Sequence, residues 1–240
     1  MSATEVDRCT ITRNQESVME MVRKTIVTRL VIAWIVLPLW FLATGGTARW
    51  WEAWVYCVLI LVPMTIFAIS MARRDLAFFE RRFKMIEKER AQRRLQVRST
   101  PFVIAAFALP GLDHRFGWSD PPLVIIAVAM VVVAGGYLVI LRTFIENRWA
   151  GRIIEACPGQ KVISTGLYAI VRHPMYAGYM VMHLATPLAL GSWWALLPAL
   201  AVFPTIVLRI RNEEEVLARD LPGYEDYRRE VRFRLVPFVW

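Results

Sequence analysis

Seven consecutive positions, Arg172-His173-Pro174-Met175-Tyr176-Ala177-Gly178, bring together a guanidinium, an imidazole and a phenol. Further on come Arg209 and the acidic run Glu213-Glu214-Glu215, after an apolar stretch long enough to cross a bilayer twice. Ionisable groups packed against membrane spans are costly unless something uses them, which makes both clusters functional candidates. Pro174 steers His173 away from helical geometry and itself suits a first helical turn. The free N–H groups of such a turn favour an anion. His173, Tyr176, Met180 and His183 follow a 3-4-3 spacing and can line one wall of a pocket. The plainer alternatives are a helix cap for His173 and an interhelical contact for His183. Capping, however, needs none of the other residues of the string.

Arg209 and Glu213 are four apart and share a helical face where the last apolar run ends. Taken alone they read as a juxtamembrane ion pair, with Arg209 obeying the positive-inside rule. Three successive carboxylates at a membrane exit are less expected, and one of them can receive a cationic ammonium group.

The elements that must position these groups are membrane helices. The chain has 240 residues, 57% of them apolar, and a mean hydropathy of +0.42. That is too apolar for an ordinary soluble domain. The net charge of +9 would suggest nucleic acid in a soluble chain. Here the basic residues flank apolar runs, the pattern of cytoplasmic loops, so no nucleic-acid partner is expected. Cys9, Cys57 and Cys157, and His114, His173 and His183, are too scattered for a disulfide framework or a metal site. A cleavable signal pattern is not expected at the polar N-terminus.

Residues 1–24 read as a polar N-terminal arm. Residues 25–147 read as a transmembrane region with runs at 26–43, 54–71 and 121–141. Trp50, Trp51 and Trp54 suggest an interfacial belt. Within this region, 73–98 carries ten Lys or Arg and is the strongest cytoplasmic marker, suited to anionic lipid. Residues 101–118 are open between a tilted span and a re-entrant segment. Arg142 and Glu146 can pair on one helical face. Residues 148–240 form the region carrying the chemistry, with a loop whose turn is Pro158-Gly159, a transmembrane hairpin over 175–208 linked at Gly191-Ser192, and a charged tail broken at Leu221-Pro222-Gly223. The expected fold is an all-α integral membrane protein of five or six transmembrane helices. With six, the basic segments all face the cytoplasm, and only Arg49 and Arg115 lie on the other side.

From Val162 to Trp240 the chain resembles the isoprenylcysteine carboxyl methyltransferase family and the related membrane phospholipid methyltransferases. The resemblance lies in Gly166 and Tyr168, in Arg172-His173-Pro174-x-Tyr176-x-Gly178, in Glu213-Glu214 with Leu217, and in Tyr224 with Tyr227. Parts of the pattern recur in sterol reductases. The resemblance implies a cytosolic pocket for S-adenosylmethionine contacted by Tyr168, His173, Pro174, Met175, Tyr176 and Glu213. Further, mostly backbone, contacts would come from Gln160, Lys161, Val162 and Ile163. It assigns Arg209 to the methyl acceptor, and Arg209 with His173 to catalysis. The Glu213-to-Tyr224 spacing is one residue shorter than the family pattern, which leaves Glu213 and Glu214 as alternatives for the ligand.

The implied function is an S-adenosylmethionine-dependent methyltransferase acting on a carboxylate of a lipid-like or prenylated acceptor, in a bacterial inner membrane, with its site facing the cytoplasm. An ionised carboxylate needs no general base, and Arg209 can hold it by a charge-assisted contact. The alternatives are a phospholipid amine N-methyltransferase, which would need His183 or a Glu as base, and a reductase-like or non-catalytic protein of the same fold.

Overall fold

The computed structural model describes residues 3–83, 90–147, 149 and 160–240. The described residues fold into α-helices: α1 Ala3–Gly45, α2 Trp51–Arg74, α3 Leu76–Phe83, α4 Arg90–Phe116, α5 Leu123–Glu146, α6 Pro174–Ala189, α7 Leu196–Ala201, α8 Phe203–Asp220 and α9 Tyr224–Glu230. A single 3-10 turn, Gly166–Ala169, precedes α6. The Pro158-Gly159 turn and Cys157 lie outside the described residues.

Among the described residues, four helices are long and apolar enough to cross a membrane: Val18–Gly45, Trp51–Arg74, Gln92–Phe116 and Leu123–Glu146. At 1.5 Å per residue each exceeds the roughly 30 Å hydrocarbon core. The segment 101–118 is therefore no re-entrant loop. It is the second part of a helix that continues through Pro101 and Pro110. The remaining passes are the 16-residue α6 and the α7–α8 pair. The apolar run 193–208 forms two helices because Pro204, in the first turn of α8, has no N–H to continue a helix from α7. The arm over 1–24 is helical from Ala3 and runs into the first span.

Contacts sort the helix ends into two groups. At one end Gln92 Nε2 donates to the Arg209 carbonyl at 3.1 Å, and Ile26, Met71, Phe78 and Phe79 form a buried cluster flanked by Phe144. At the other, Gly111 lies against Thr44 and Gly46 against Arg115, and Ser192 donates to Asp113. The described helices run between these ends six times, with α7 and α8 counted as one pass. The start of the basic segment folds back rather than lying free. Phe78 and Phe79 of α3 are buried, and Arg29 lies over the Phe83 ring at 3.9 Å.

The three tryptophans at the α1–α2 link divide. Trp51 is exposed, but Trp50 is buried, packed edge-on against Phe41 and stacked on His114. Trp50 is therefore a core residue, because the Gly45-Gly46 turn brings it under α1 rather than out to the lipid interface.

The spans α5 and α6 approach each other backbone to backbone. A Cβ added at Gly136 would stand 2.7 Å from the Gly178 carbonyl, and one added at Gly178 would stand 2.7 Å from the Gly136 carbonyl. Small residues allow such backbone contact in membranes, where no hydrophobic force joins helices. Gly178 thus serves packing, and it seats the first turns of α6 against the second half of α5 around Gly136, Val139 and Ile140.

Candidate active site

Pro174 is the first residue of α6, and His173 caps it with φ −125° and ψ 60°, outside the helical region as Pro174 requires. The His173 side chain makes no capping hydrogen bond. Its Nε2 instead lies 3.2 Å from Glu214 Oε1. Arg172 Nε donates to the same oxygen at 2.7 Å, and Arg234 Nε donates to Glu214 Oε2 at 2.8 Å.

Glu214 is thus the buried centre of an ion cluster. Burial alone would raise its carboxyl above the usual 4.5, but hydrogen bonds from His173, Arg172 and Arg234 override it and hold the group at about 2. Arg172 also donates to the Val231 and Arg232 carbonyls. The backbone N–H groups of Arg172 and His173 donate to the Phe233 and Arg234 carbonyls. The tail after α9 is in this way laced to the start of α6.

Glu213, next in sequence, points elsewhere. It is half-buried and lines a cavity with Asn147, Trp149, Gln160, Lys161, Val162, Ile163, Tyr168, His173, Met175, Tyr176, Leu217, Leu221, Tyr224 and Tyr227. Every residue that the sequence resemblance implies for the cofactor borders this cavity except Pro174, which is buried in the helix start behind it. Of the two candidate carboxylates, Glu213 faces the cavity, and Glu214 is consumed by Arg172, Arg234 and His173.

The cavity wall opposite α8 is set by a short relay. Glu146 pairs with Arg142 at 2.9 Å and accepts from the Leu167 N–H at 2.9 Å. Gly166 sits above it at φ 58°, where a Cβ would collide with the Glu146 carboxylate. The next turn presents Tyr168, whose hydroxyl accepts from Asn147 Nδ2 at 3.0 Å and whose carbonyl accepts from the Tyr227 hydroxyl at 2.8 Å. Burial, with Glu213 nearby, pushes the Tyr168 phenol far above its usual range, so it stays a neutral hydroxyl. Leu221 ends α8 and Gly223 turns the chain at φ 83° into α9, as the Leu-Pro-Gly break predicts.

Arg209 lines a second cavity with Leu95, Gln96, Ser99, Ile140, Phe144, Met175, Tyr176, Tyr179, Thr205 and Ile206. This space is largely apolar. Its described lining carries one cation, Arg209, and no carboxylate or imidazole. Met175 and Tyr176 border both cavities. The Tyr176 hydroxyl donates to Glu213 Oε2 at 2.6 Å and accepts from Arg209 Nε at 2.8 Å.

Two members of the expected wall are elsewhere. Met180 packs into a core with Ile210 and Leu235. His183 is buried against α4, its ring stacked on Tyr179 at 5.3 Å. The 3-4-3 spacing describes a helix face, but only its first turn reaches the cavities. Sequence reading missed Asn147, Trp149, Arg172, Leu217, Leu221, Tyr224 and Tyr227 as lining residues. The two tyrosines were visible in the motif but carried no assigned contact.

Residues 124–221 match the family described as Phospholipid methyltransferase. Over 72 residues, 29% of this chain and 30% of its relative, the sequence is 36% identical to the Protein-S-isoprenylcysteine O-methyltransferase of Schizosaccharomyces pombe. Over 90 residues, 36% of this chain and 22% of its relative, it is 28% identical to the Delta(14)-sterol reductase TM7SF2 of Mus musculus. The chain matches less than a third of the length of these relatives. The solved structure of the eukaryotic intramembrane Ras methyltransferase ICMT (isoprenylcysteine carboxyl methyltransferase) superposes with a TM-score of 0.52 at 15% identity, over 99% of this chain and 88% of that one. The protein is therefore an integral membrane protein with the isoprenylcysteine carboxyl methyltransferase fold, related in sequence over residues 124–221 to the phospholipid methyltransferases.

Proposed function

We propose that the chain is an S-adenosylmethionine-dependent methyltransferase whose acceptor is a carboxylate on an apolar, lipid-like or prenylated molecule. The observation that carries this reading is the pairing of two cavities across Tyr176. One offers a carboxylate among aromatic walls, the other a guanidinium among apolar walls.

The residues of the first cavity fit the cofactor. Glu213 supplies an anion for an ammonium. The ring faces of Tyr168, Tyr224 and Tyr227 with Leu217 and Leu221 suit an adenosyl group, and the buried Tyr224 hydroxyl, which has no hydrogen-bond partner among the described residues, is an orphan that a ligand would satisfy. Gln160, Lys161, Val162 and Ile163 border the same space. When bound, S-adenosylmethionine supplies a methyl group already activated on a sulfonium.

The chain's own part is orientation and charge placement. Arg209 holds the acceptor carboxylate by charge-assisted hydrogen bonds. Met175 and Tyr176 form the boundary between the two sites. His173, fixed through Glu214, keeps the donor-side wall in place. Holding two reactants in attack geometry is worth about 7–11 kcal/mol in favourable cases. An amine acceptor would have to lose a proton to His183 or a Glu; His183 lies outside both linings, and the described lining of the Arg209 cavity carries no carboxylate. The exposed cations Arg73, Arg74, Arg93, Arg94, Arg98 and Arg142 at the cavity end support a site facing the cytoplasm.

The test is methyl transfer from radiolabelled S-adenosylmethionine into host membrane extract, with and without purified protein, followed by mild base. Protein-dependent counts released as volatile methanol are expected, and Arg209→Ala should abolish them while S-adenosylmethionine binding persists. Counts that survive base would overturn the carboxylate reading. No protein-dependent counts, with no cofactor binding, would overturn the methyltransferase reading.

A further inference from the structure

Tyr176 holds one hydroxyl between two charged groups that face different cavities. The hydroxyl gives its single proton to Glu213 at 2.6 Å and takes the Nε proton of Arg209 at 2.8 Å. In a low-dielectric site each link of such a chain polarises the next. While Glu213 is an unneutralised anion, it draws the Tyr176 proton and, through the phenol oxygen, the guanidinium of Arg209. A cation placed on Glu213 relaxes that pull and leaves Arg209 to an incoming anion. Charge acts in the same direction. Arg209 and Glu213 lie four apart on α8 and their charges cancel. An anion entering the second cavity is attracted by Arg209 and repelled by Glu213, and a cation held by Glu213 offsets that repulsion.

We infer that Tyr176 couples the two cavities, so that a cation held by Glu213 in the donor cavity primes Arg209 for the acceptor carboxylate. This rests on the assignment of the cavities to donor and acceptor, and Tyr176 acts as a positioning residue through its two partners. Coupling of this kind is reciprocal: the acceptor tightens the donor by the same factor.

The experiment uses the full chain in phosphatidylcholine nanodiscs. A fluorescent long-chain fatty acid is the carboxylate probe, and S-adenosylhomocysteine is the donor-site ligand, since it keeps the ammonium and permits no turnover. The signal lost in Arg209→Ala defines binding at this site. Saturating S-adenosylhomocysteine should tighten the fatty acid by about fivefold or more, within the usual span of coupling factors. Glu213→Gln should bind S-adenosylhomocysteine more weakly, yet bind the fatty acid as tightly without ligand as the wild-type protein does with it. In Tyr176→Phe the coupling factor should fall by roughly half or more while the protein still binds both ligands.

Equal fatty-acid affinity with and without S-adenosylhomocysteine, and no gain in Glu213→Gln, would show independent sites and overturn the coupling while leaving the methyltransferase reading intact. Absence of any Arg209-dependent fatty-acid binding would overturn the coupling together with the carboxylate assignment. Failure of the wild-type protein to bind S-adenosylhomocysteine would remove the donor assignment itself.

Discussion

Arg172 Nε stands 2.7 Å from Glu214 Oε1, with both side chains almost wholly buried. His173 and Arg234 approach the same carboxylate, so one anion ties the start of α6, the middle of α8 and the tail together. Removing one member of a buried ion cluster leaves the others uncompensated, at about 3–5 kcal/mol. Glu214→Gln is therefore expected to lower thermal stability steeply in detergent. Glu213→Gln, whose side chain faces a cavity, should leave the unfolding midpoint nearly unchanged and weaken cofactor binding instead. Paired thermal-unfolding and cofactor-titration measurements separate the two. Equal midpoints for both variants would deny Glu214 its structural role.

The same cluster sets an acid limit. Glu214 is held at about 2, below its usual 4.5. A depressed carboxyl contributes stability that is complete above the unfolded-state value and is lost as pH falls through the folded one. The shift corresponds to about 3 kcal/mol. Tryptophan fluorescence of the purified protein should show a steady midpoint down to about pH 5 and a decline between pH 4.5 and 2. Glu214→Gln should flatten that decline, starting from a lower plateau. A wild-type decline centred near neutral pH would point to another group.

Much of the site was legible in the sequence, because its residues are local in the chain. The place of His173 just outside the helix, the helix start at Pro174 and the shared face of Arg209 and Glu213 follow from dihedral limits and helical spacing, and all three stand in the structure. What was hidden depended on pairing across distance. Glu213 and Glu214 are adjacent and chemically identical, and only the arrival of Arg172 and Arg234 from other segments assigns them different work. Met180 and His183 continue the right helix face, but α8 and α4 cover them. Trp50 resembled an interfacial residue until the α1–α2 turn placed it under Phe41. The continuous run 193–208 concealed a break because apolarity outweighed Pro204 in reading it.

Gly136 and Gly178 face each other across the α5–α6 contact with no room for a methyl group. The atoms in the way are backbone carbonyls, which cannot swing aside, so Gly178→Ala must separate the helices. Overpacking of this kind costs about 1–3 kcal/mol. Because α6 carries Met175 and Tyr176, Gly178→Ala should lose affinity at both cavities together with stability. Adding Gly136→Ala should deepen the loss rather than rescue it. A Gly178→Ala protein with wild-type stability would mean that the two backbones do not touch.

Gly166 occupies φ 58° directly above the Glu146 carboxylate. Ala there meets two obstacles: a left-handed backbone that a Cβ disfavours by about 1 kcal/mol, and the carboxylate itself. Relief would come from moving the 166–169 turn, which would carry Tyr168 away from Asn147 and Tyr227. This turn lies outside the membrane helices, so global stability should change little. Cofactor affinity should fall by about tenfold, equivalent to about 1.4 kcal/mol, because a cavity wall has shifted. Shortening the obstacle in Gly166→Ala with Glu146→Ala removes the collision but also frees Leu167 and Arg142, so it should restore affinity only in part. Titration of S-adenosylmethionine against the three variants, with thermal unfolding alongside, decides it. Full affinity in Gly166→Ala would show that Tyr168 does not depend on this turn for its place in the wall.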